Sequence, residues 1–178
     1  MNTSSLLKAL DTLFSHSTLP VNYYVTAADT ICSTVDFSTF PTAIICNTDP
    51  EGMKGKHWLS FYLPQPGVCE YFDSYGMPIY RYWNVDIPEE ITEENCKIYQ
   101  SSFSNVCGQH CIFYLYNRAL GISYSDFVSS NYNNSVRHND TLVRKFVAQI
   151  PGLESCKSYP CHQKVQGCKC RVACSEFM

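Results

Sequence analysis

Residues 56–76, KHWLSFYLPQPGVCEYFDSYG, most constrain how this chain folds. Two runs of aromatic and apolar β-formers, KHWLSFYLP (56–64) and VCEYFDSYG (68–76), flank the turn PQPG. Strands joined so closely pair antiparallel, because a parallel pairing needs a crossover of a dozen or more residues. A hairpin with so few charges must be buried, so helices have to cover it.

The rest of the chain supplies them. SSLLKALDTLF (4–14) sets Leu6, Leu7, Leu10, Leu13 and Phe14 at helical spacing behind Ser caps. CGQHCIFYLYNRALG (107–121) does the same with Cys111, Ile112, Leu115, Tyr116 and Ala119, and Gly121 ends it. NDTLVRKFVAQI (139–150) reads as a last helix, with Asp140 as N-cap and Pro151 as stop. TAIICNTD (42–49) reads as a buried strand and CKIYQ (96–100) as a short one. Residues 19–41 read as irregular, and 78–95 as a short helix with an acidic loop. The predicted class is α+β, a small, mostly antiparallel central sheet packed by helices, without alternating βαβ units.

The 178 residues suffice for one domain and a tail, placed at 1–154 and 155–178. An apolar fraction of 45% against 16% charged residues fits a folded chain. The net charge of −3 argues against a nucleic-acid binder, but residues 155–178 alone carry +3, leaving −6 on the body. No apolar run approaches the roughly 20 residues that span a bilayer. The start MNTSSLLKALDTLFSHS lacks a basic cluster and a long apolar core, so a signal peptide is not expected. The eleven cysteines are then expected as reduced thiols, serving as nucleophile, metal ligand or core residue.

Thiol catalysis needs a thiolate, a base, a group that orients the base, and donors for the developing oxyanion. A free thiol of pKa near 8.5 is only a few per cent ionised at pH 7, roughly, and a helix N-terminus beside an imidazole raises that fraction. Cys107 opens a predicted helix, and Gly108 leaves its sulfur face unobstructed. His57, on the first hairpin strand after a Gly-containing loop, is the candidate base, and Asp73, at the end of the neighbouring strand, the candidate orienter. The Gln100 side-chain amide and the Cys107 backbone N–H are candidate oxyanion donors. Taken alone, Cys107 reads equally as a buried structural thiol. The ordered set of His57, Asp73, Gln100 and Cys107 tips the reading to nucleophile.

AIICNTDPEGMKGKHWLSFYL, VCEYFDSYG and QSSFSNVCGQHCIFYL together resemble the adenovirus-type cysteine endopeptidases, of the clan that includes the SUMO- and ubiquitin-like deconjugases. The resemblance runs from about residue 5 to residue 120. It implies a papain-like/adenain-like architecture, with His57 as base, Asp73 as third triad member, Gln100 as oxyanion donor and Cys107 as nucleophile. The adenoviral enzymes usually carry Glu where this chain has Asp73, and the loops around the nucleophile differ. That points to a relative from another DNA virus or a virus-like self-replicating transposon. The resemblance implies a monomeric endopeptidase that cleaves viral structural precursors at extended sites with small residues. It would act in the host nucleus or cytoplasm or in the virion. No cofactor is required. Stimulation by a viral peptide, held through a disulfide at Cys96, and by DNA are the implied modes of activation.

Two alternatives stay open: a deconjugase using the same triad, and a non-enzymatic zinc or nucleic-acid module built on the tail. The tail holds Cys161, His162, Cys168, Cys170 and Cys174, but their spacings do not match the usual zinc knuckles. A poorly ordered basic tail, touching DNA weakly through phosphates, is the favoured reading. Cys111 reads as core and His110 as a surface histidine or one that backs the site. Gly52 and Gly55 read as a flexible lip of a substrate cleft, and Trp58 as packing in the core or the cleft wall.

Overall fold

The computed structural model describes residues 1–15, 20–53 and 55–154. The tail lies outside the described residues, and with it the zinc candidates Cys161, His162, Cys168, Cys170 and Cys174. The elements in chain order are α1 (Thr3–Phe14), β1 (Asn22–Ala27), α2 (Ile31–Thr34), β2 (Thr42–Asn47), β3 (Trp58–Gln65), β4 (Val68–Phe72), a 3-10 turn (Ile79–Arg81), β5 (Ile91–Glu94), α3 (Cys107–Ala119), α4 (Tyr124–Ser130) and α5 (Val136–Val147).

The strands form one sheet in the order β1-β2-β3-β4-β5. The hairpin β3–β4 is antiparallel, as its short turn requires, and Gly67 takes the positive φ of 73° at that turn. β2–β3 is also antiparallel, whereas β1–β2 and β4–β5 are parallel. The α+β class holds, with antiparallel pairing confined to the centre of the sheet.

Both faces of the sheet are covered, which explains why β2 is buried at every position. Alternation sends Ala43, Ile45, Trp58, Tyr62 and Phe72 into one core with α1, α3, α4 and α5. Ile44, Cys46, Leu59, Phe61, Leu63, Cys69 and Tyr71 face a second core with Ile31 of α2 and Val35 and Val85 of the loops. Phe72 stacks on Tyr114 of α3 at 4.8 Å and on Tyr99 at 5.8 Å, and Tyr99 stacks on Tyr132 at 4.5 Å. This aromatic column ties the sheet to α3 and to the segment before it. Arg118 of α3 forks onto Glu70 of β4 with two bonds of 2.6 Å, while the Tyr114 hydroxyl donates to Glu70 at 2.8 Å.

Several local expectations are corrected. The segment read as irregular contains β1, which is stabilised by parallel pairing with β2 and not by any local turn. The acidic loop contains β5, an exposed edge strand. Residues 96–100 form no strand; the N–H groups of Tyr99 and Gln100 both donate to the Ser74 carbonyl instead. α1 is capped by Asn2 rather than by a Ser, since the Asn2 side chain accepts from Ser5 N–H at 2.9 Å. α5 starts earlier than predicted, capped by Ser135, which leaves Asp140 inside the helix.

Candidate active site

Two hairpin ends and one helix start converge here. His57 immediately precedes β3 and Asp73 immediately follows β4, and the register Ser60↔Phe72 sets these strand ends side by side. α3 packs across β3: the Cys111 thiol donates to the Trp58 carbonyl at 3.3 Å. A Cβ on Gly108 would sit 3.2 Å from Leu6 Cδ2 and 3.5 Å from Trp58 Cδ1. A side chain there would need Leu6 to shift by a few tenths of an ångström, so Gly108 fits a closely packed start of α3.

His57 is buried, and its Nε2 lies 2.6 Å from Asp73 Oδ1. Asp73, fully buried, is itself held firmly. Its Oδ1 also accepts from Tyr75 N–H at 2.9 Å, and its Oδ2 accepts from Met77 N–H at 3.0 Å and the Tyr82 hydroxyl at 2.9 Å. Asn95 accepts from Asp73 N–H and donates to its carbonyl. Tyr75 and Tyr82 pack beside the imidazole, with centroids at 4.8 and 5.9 Å. The ring is therefore fixed in plane and in tilt, and its Nδ1 is left buried with no hydrogen-bond partner.

The group that couples to that ring is the Cys107 thiol, at the first residue of α3. The two groups act on each other through charge, each favouring the ionised form of the other. Burial pushes the Cys107 thiol up, but His57 and the N–H groups of Trp58 and Gly108 outweigh it and bring the pKa below its usual value. Burial lowers His57, but Asp73 and Cys107 overcome this and push it up to about 9. The two groups favour each other's charged forms, which is the direction a thiolate–imidazolium pair requires.

Gln100 is 1% exposed, and its carbonyl oxygen accepts from the Ser74 hydroxyl at 2.6 Å. That bond fixes which way the amide faces. Its Nε2 donates one hydrogen to the Ser104 carbonyl at 3.1 Å, and the second has no acceptor among the described residues. The N-cap Val106 makes no side-chain capping bond, so the Cys107 N–H at the start of α3 is not taken up by a cap.

Cys111 is fully buried core, as its spacing implied. Cys96 is an exposed free thiol on the loop between β5 and Gln100. His110 is not a surface residue: it is 0% exposed, bonded to Tyr132 at 2.8 Å and Asp140 at 3.1 Å. Among the described residues no group of three or more His, Cys, Asp or Glu is placed to hold a metal ion. Gly52 and Gly55 both have positive φ, and a Cβ on Gly55 would collide with the Asn47 side chain. Met53 between them is 66% exposed. A groove of about 340 Å³ opens beside Trp58, lined by Thr26, Thr30, Ser33, Asn47 and Met53 among others. Sequence reasoning missed Ser74, Tyr75, Tyr82 and Asn95. Ser74 and Tyr75 directly follow Asp73, a signal that was available; Tyr82 and Asn95 reach the carboxylate only through the fold.

No protein-family model matches the chain. Two curated proteins of African swine fever virus do, a SUMO-1 cysteine protease of a Kenyan pig isolate and a cysteine protease of a Malawian tick isolate. The chain is similar to viral cysteine proteases. Each match is 27% identical over 101 residues, covering 48% of this chain and 37% of the viral protein. The matched stretch thus spans little more than a third of the curated relatives' length. Among solved structures, the crystal structure of the African swine fever virus protease aligns with a TM-score of 0.42 at 22% identity, covering 66% of this chain and 46% of that one.

Proposed function

We propose that this chain is a cysteine-type peptidase with Cys107 as nucleophile, His57 as general base and acid, and Asp73 as the carboxylate that orients His57. The observation that carries the reading is the buried His57 ring, clamped to Asp73 at 2.6 Å with its other nitrogen left without a hydrogen bond, and its mutual electrostatic influence with the thiol at the first residue of α3. The similarity to viral cysteine proteases supports it.

In the first half-reaction the Cys107 thiolate attacks the scissile carbonyl, forming a C–S bond, and the carbonyl electrons move to oxygen. The Gln100 amide and the Cys107 backbone N–H stabilise that oxyanion. Collapse breaks the C–N bond, and the His57 imidazolium protonates the leaving amine. In the second half, water attacks the thioester while neutral His57 takes its proton, and the thiolate is regenerated.

The substrates proposed are polypeptides, specifically structural precursors of a virus or virus-like element with small residues near the cut. A second reading, release of a ubiquitin-like modifier, is favoured by Asp73 as the third member and by one relative being named a SUMO-1 cysteine protease. Cleavage of extended peptides that carry Gly-Gly internally, with further residues after it, should be compared with labelling by a ubiquitin-like protein carrying a C-terminal vinyl sulfone. Peptide turnover lost in Cys107→Ala supports the proposal. Labelling by the probe without peptide turnover supports the second reading, and turnover retained in Cys107→Ala refutes both.

A further inference from the structure

The proposed chemistry leaves one buried titratable cluster unused. His110, one turn along α3 from Cys107, places Nδ1 2.8 Å from the Tyr132 hydroxyl and Nε2 3.1 Å from Asp140 Oδ1. The second oxygen of Asp140 accepts the Ser101 backbone N–H at 3.3 Å. The preceding residue on α5, Asn139, donates to the Tyr99 carbonyl at 3.2 Å and is fully buried. Two consecutive side chains of α5 thus grip the backbone on either side of Gln100. Ser101 also starts the turn that receives Ser104 N–H at 3.0 Å, and the Ser104 carbonyl accepts the Gln100 amide.

Resting on the reading of Cys107 as nucleophile and Gln100 as oxyanion donor, we propose that the His110–Asp140 pair is a positioning device. It bridges the helix that carries the nucleophile to the backbone that carries the oxyanion donor, so that the two keep a fixed spacing. Asp140 has two oxygens and uses one on each side, which a shorter or apolar residue cannot do. His110 sets where Asp140 sits, because a buried carboxylate needs its partners satisfied. Asn139 fixes the other flank of Gln100, and it is itself held by Asn133, whose N–H it accepts at 3.1 Å. None of these side chains is assigned a contact with substrate. Their effect passes through Gln100, which distinguishes them from the triad.

The test uses the full chain with a peptide substrate and, separately, iodoacetamide. Alkylation of Cys107 needs the thiolate but no oxyanion donor, so it isolates the two functions. Gln100→Ala should lower kcat roughly a hundredfold with KM unchanged, the behaviour of a group that acts only in the transition state. Asp140→Ala should lower kcat by roughly tenfold or more in the same manner, leaving the Cys107 alkylation rate within about twofold. The double variant should be no slower than Gln100→Ala alone, because one residue acts through the other. Asp140→Asn, which keeps an acceptor for Ser101 N–H, should restore most of kcat. Asp140→Leu keeps the volume without an acceptor and carries the same expectation as Asp140→Ala, should the alanine variant fail to fold. Losses that multiply in the double variant, an alkylation rate that falls in step with kcat, or an unchanged kcat would overturn the proposal. An unchanged kcat in Gln100→Ala would instead overturn the oxyanion assignment on which it rests.

Discussion

Replacing Asp73 by Asn probes the site with almost no change of shape. The carboxylate accepts four hydrogen bonds, two at each oxygen: His57 Nε2 and Tyr75 N–H at one, Met77 N–H and the Tyr82 hydroxyl at the other. An amide offers one oxygen, so its NH2 must face one of these pairs. Either Tyr75 or Met77 then keeps a part-buried backbone N–H with no acceptor from residue 73, which costs about 1–3 kcal/mol at most. The larger effect is on charge. Asp73 leads the influences that hold His57 up at about 9 against burial, and the imidazolium in turn holds Cys107 down. Without the carboxylate, His57 is neutral at pH 7 and the thiol returns to its ordinary range. With a pKa back near 8.5 only roughly a few per cent of the thiol is ionised at pH 7, so the thiolate fraction there falls. The assay is the rate of Cys107 alkylation by iodoacetamide from pH 5 to 10, read by mass spectrometry of the peptide containing Cys107. The native chain should show thiolate reactivity already developed at neutral pH; Asp73→Asn should show it appearing only above about pH 8. Profiles that coincide would refute the argument that Asp73 sustains the ion pair.

Peptide cleavage by the native chain should follow a bell-shaped pH curve. It rises as Cys107 ionises below its usual pKa and falls through about 9 as His57 loses the proton the leaving amine needs; activity still climbing at pH 10 would contradict it. Arg118→Ala leaves the buried Glu70 carboxylate without its bidentate partner and removes the guanidinium 5.1 Å over the Tyr62 ring. It should lower the unfolding free energy by about 3–5 kcal/mol in urea titrations, and a loss under about 1 kcal/mol would contradict that. Cys111→Ala should cost about 1 kcal/mol of stability and leave kcat within about twofold, since its thiol serves the core; a kcat loss like that of Cys107→Ala would give it a chemical role. Duplex DNA should stimulate cleavage modestly at low salt and only when residues 155–178 are present, because four basic residues release few counterions; salt-insensitive stimulation would place the DNA contact elsewhere.

What was legible in the sequence was local. The hairpin announced itself by two β-forming runs and a Pro-Gly turn, and it automatically places His57 and Asp73 at adjacent strand ends. Cys107 at the start of an amphipathic run identified where α3 begins, and Gly121 where it ends. What failed was set by tertiary contact. β1 exists because β2 lies beside it, and the short acidic β5 is recruited as an edge by β4. Residues 96–100 have strand composition, but Tyr99 turns into the aromatic column while Ile98 is 58% exposed, and the segment's backbone bonds go to Ser74, Asn95 and Asn139, so it joins no ladder. His110 read as either a surface histidine or one that backs the site, because its partners Tyr132 and Asp140 lie 22 and 30 residues away. The same distance hid the role of Asp140, whose neighbours suggest a helix cap.

The central claim is that Cys107 is the reactive thiol, and the structure makes an unusually sharp contest of it. Cys107 is 9% exposed, whereas Cys32 and Cys96 are exposed free cysteines. Simple accessibility therefore favours the wrong residues. The measurement is intact-protein and peptide mass spectrometry after brief exposure to a limiting peptide vinyl sulfone at pH 7, with His57→Ala in parallel. The account predicts a single adduct on Cys107, abolished by His57→Ala although Cys32 and Cys96 are unaltered. Labelling spread over Cys32 and Cys96, or a Cys107 adduct that forms equally fast without His57, would contradict it.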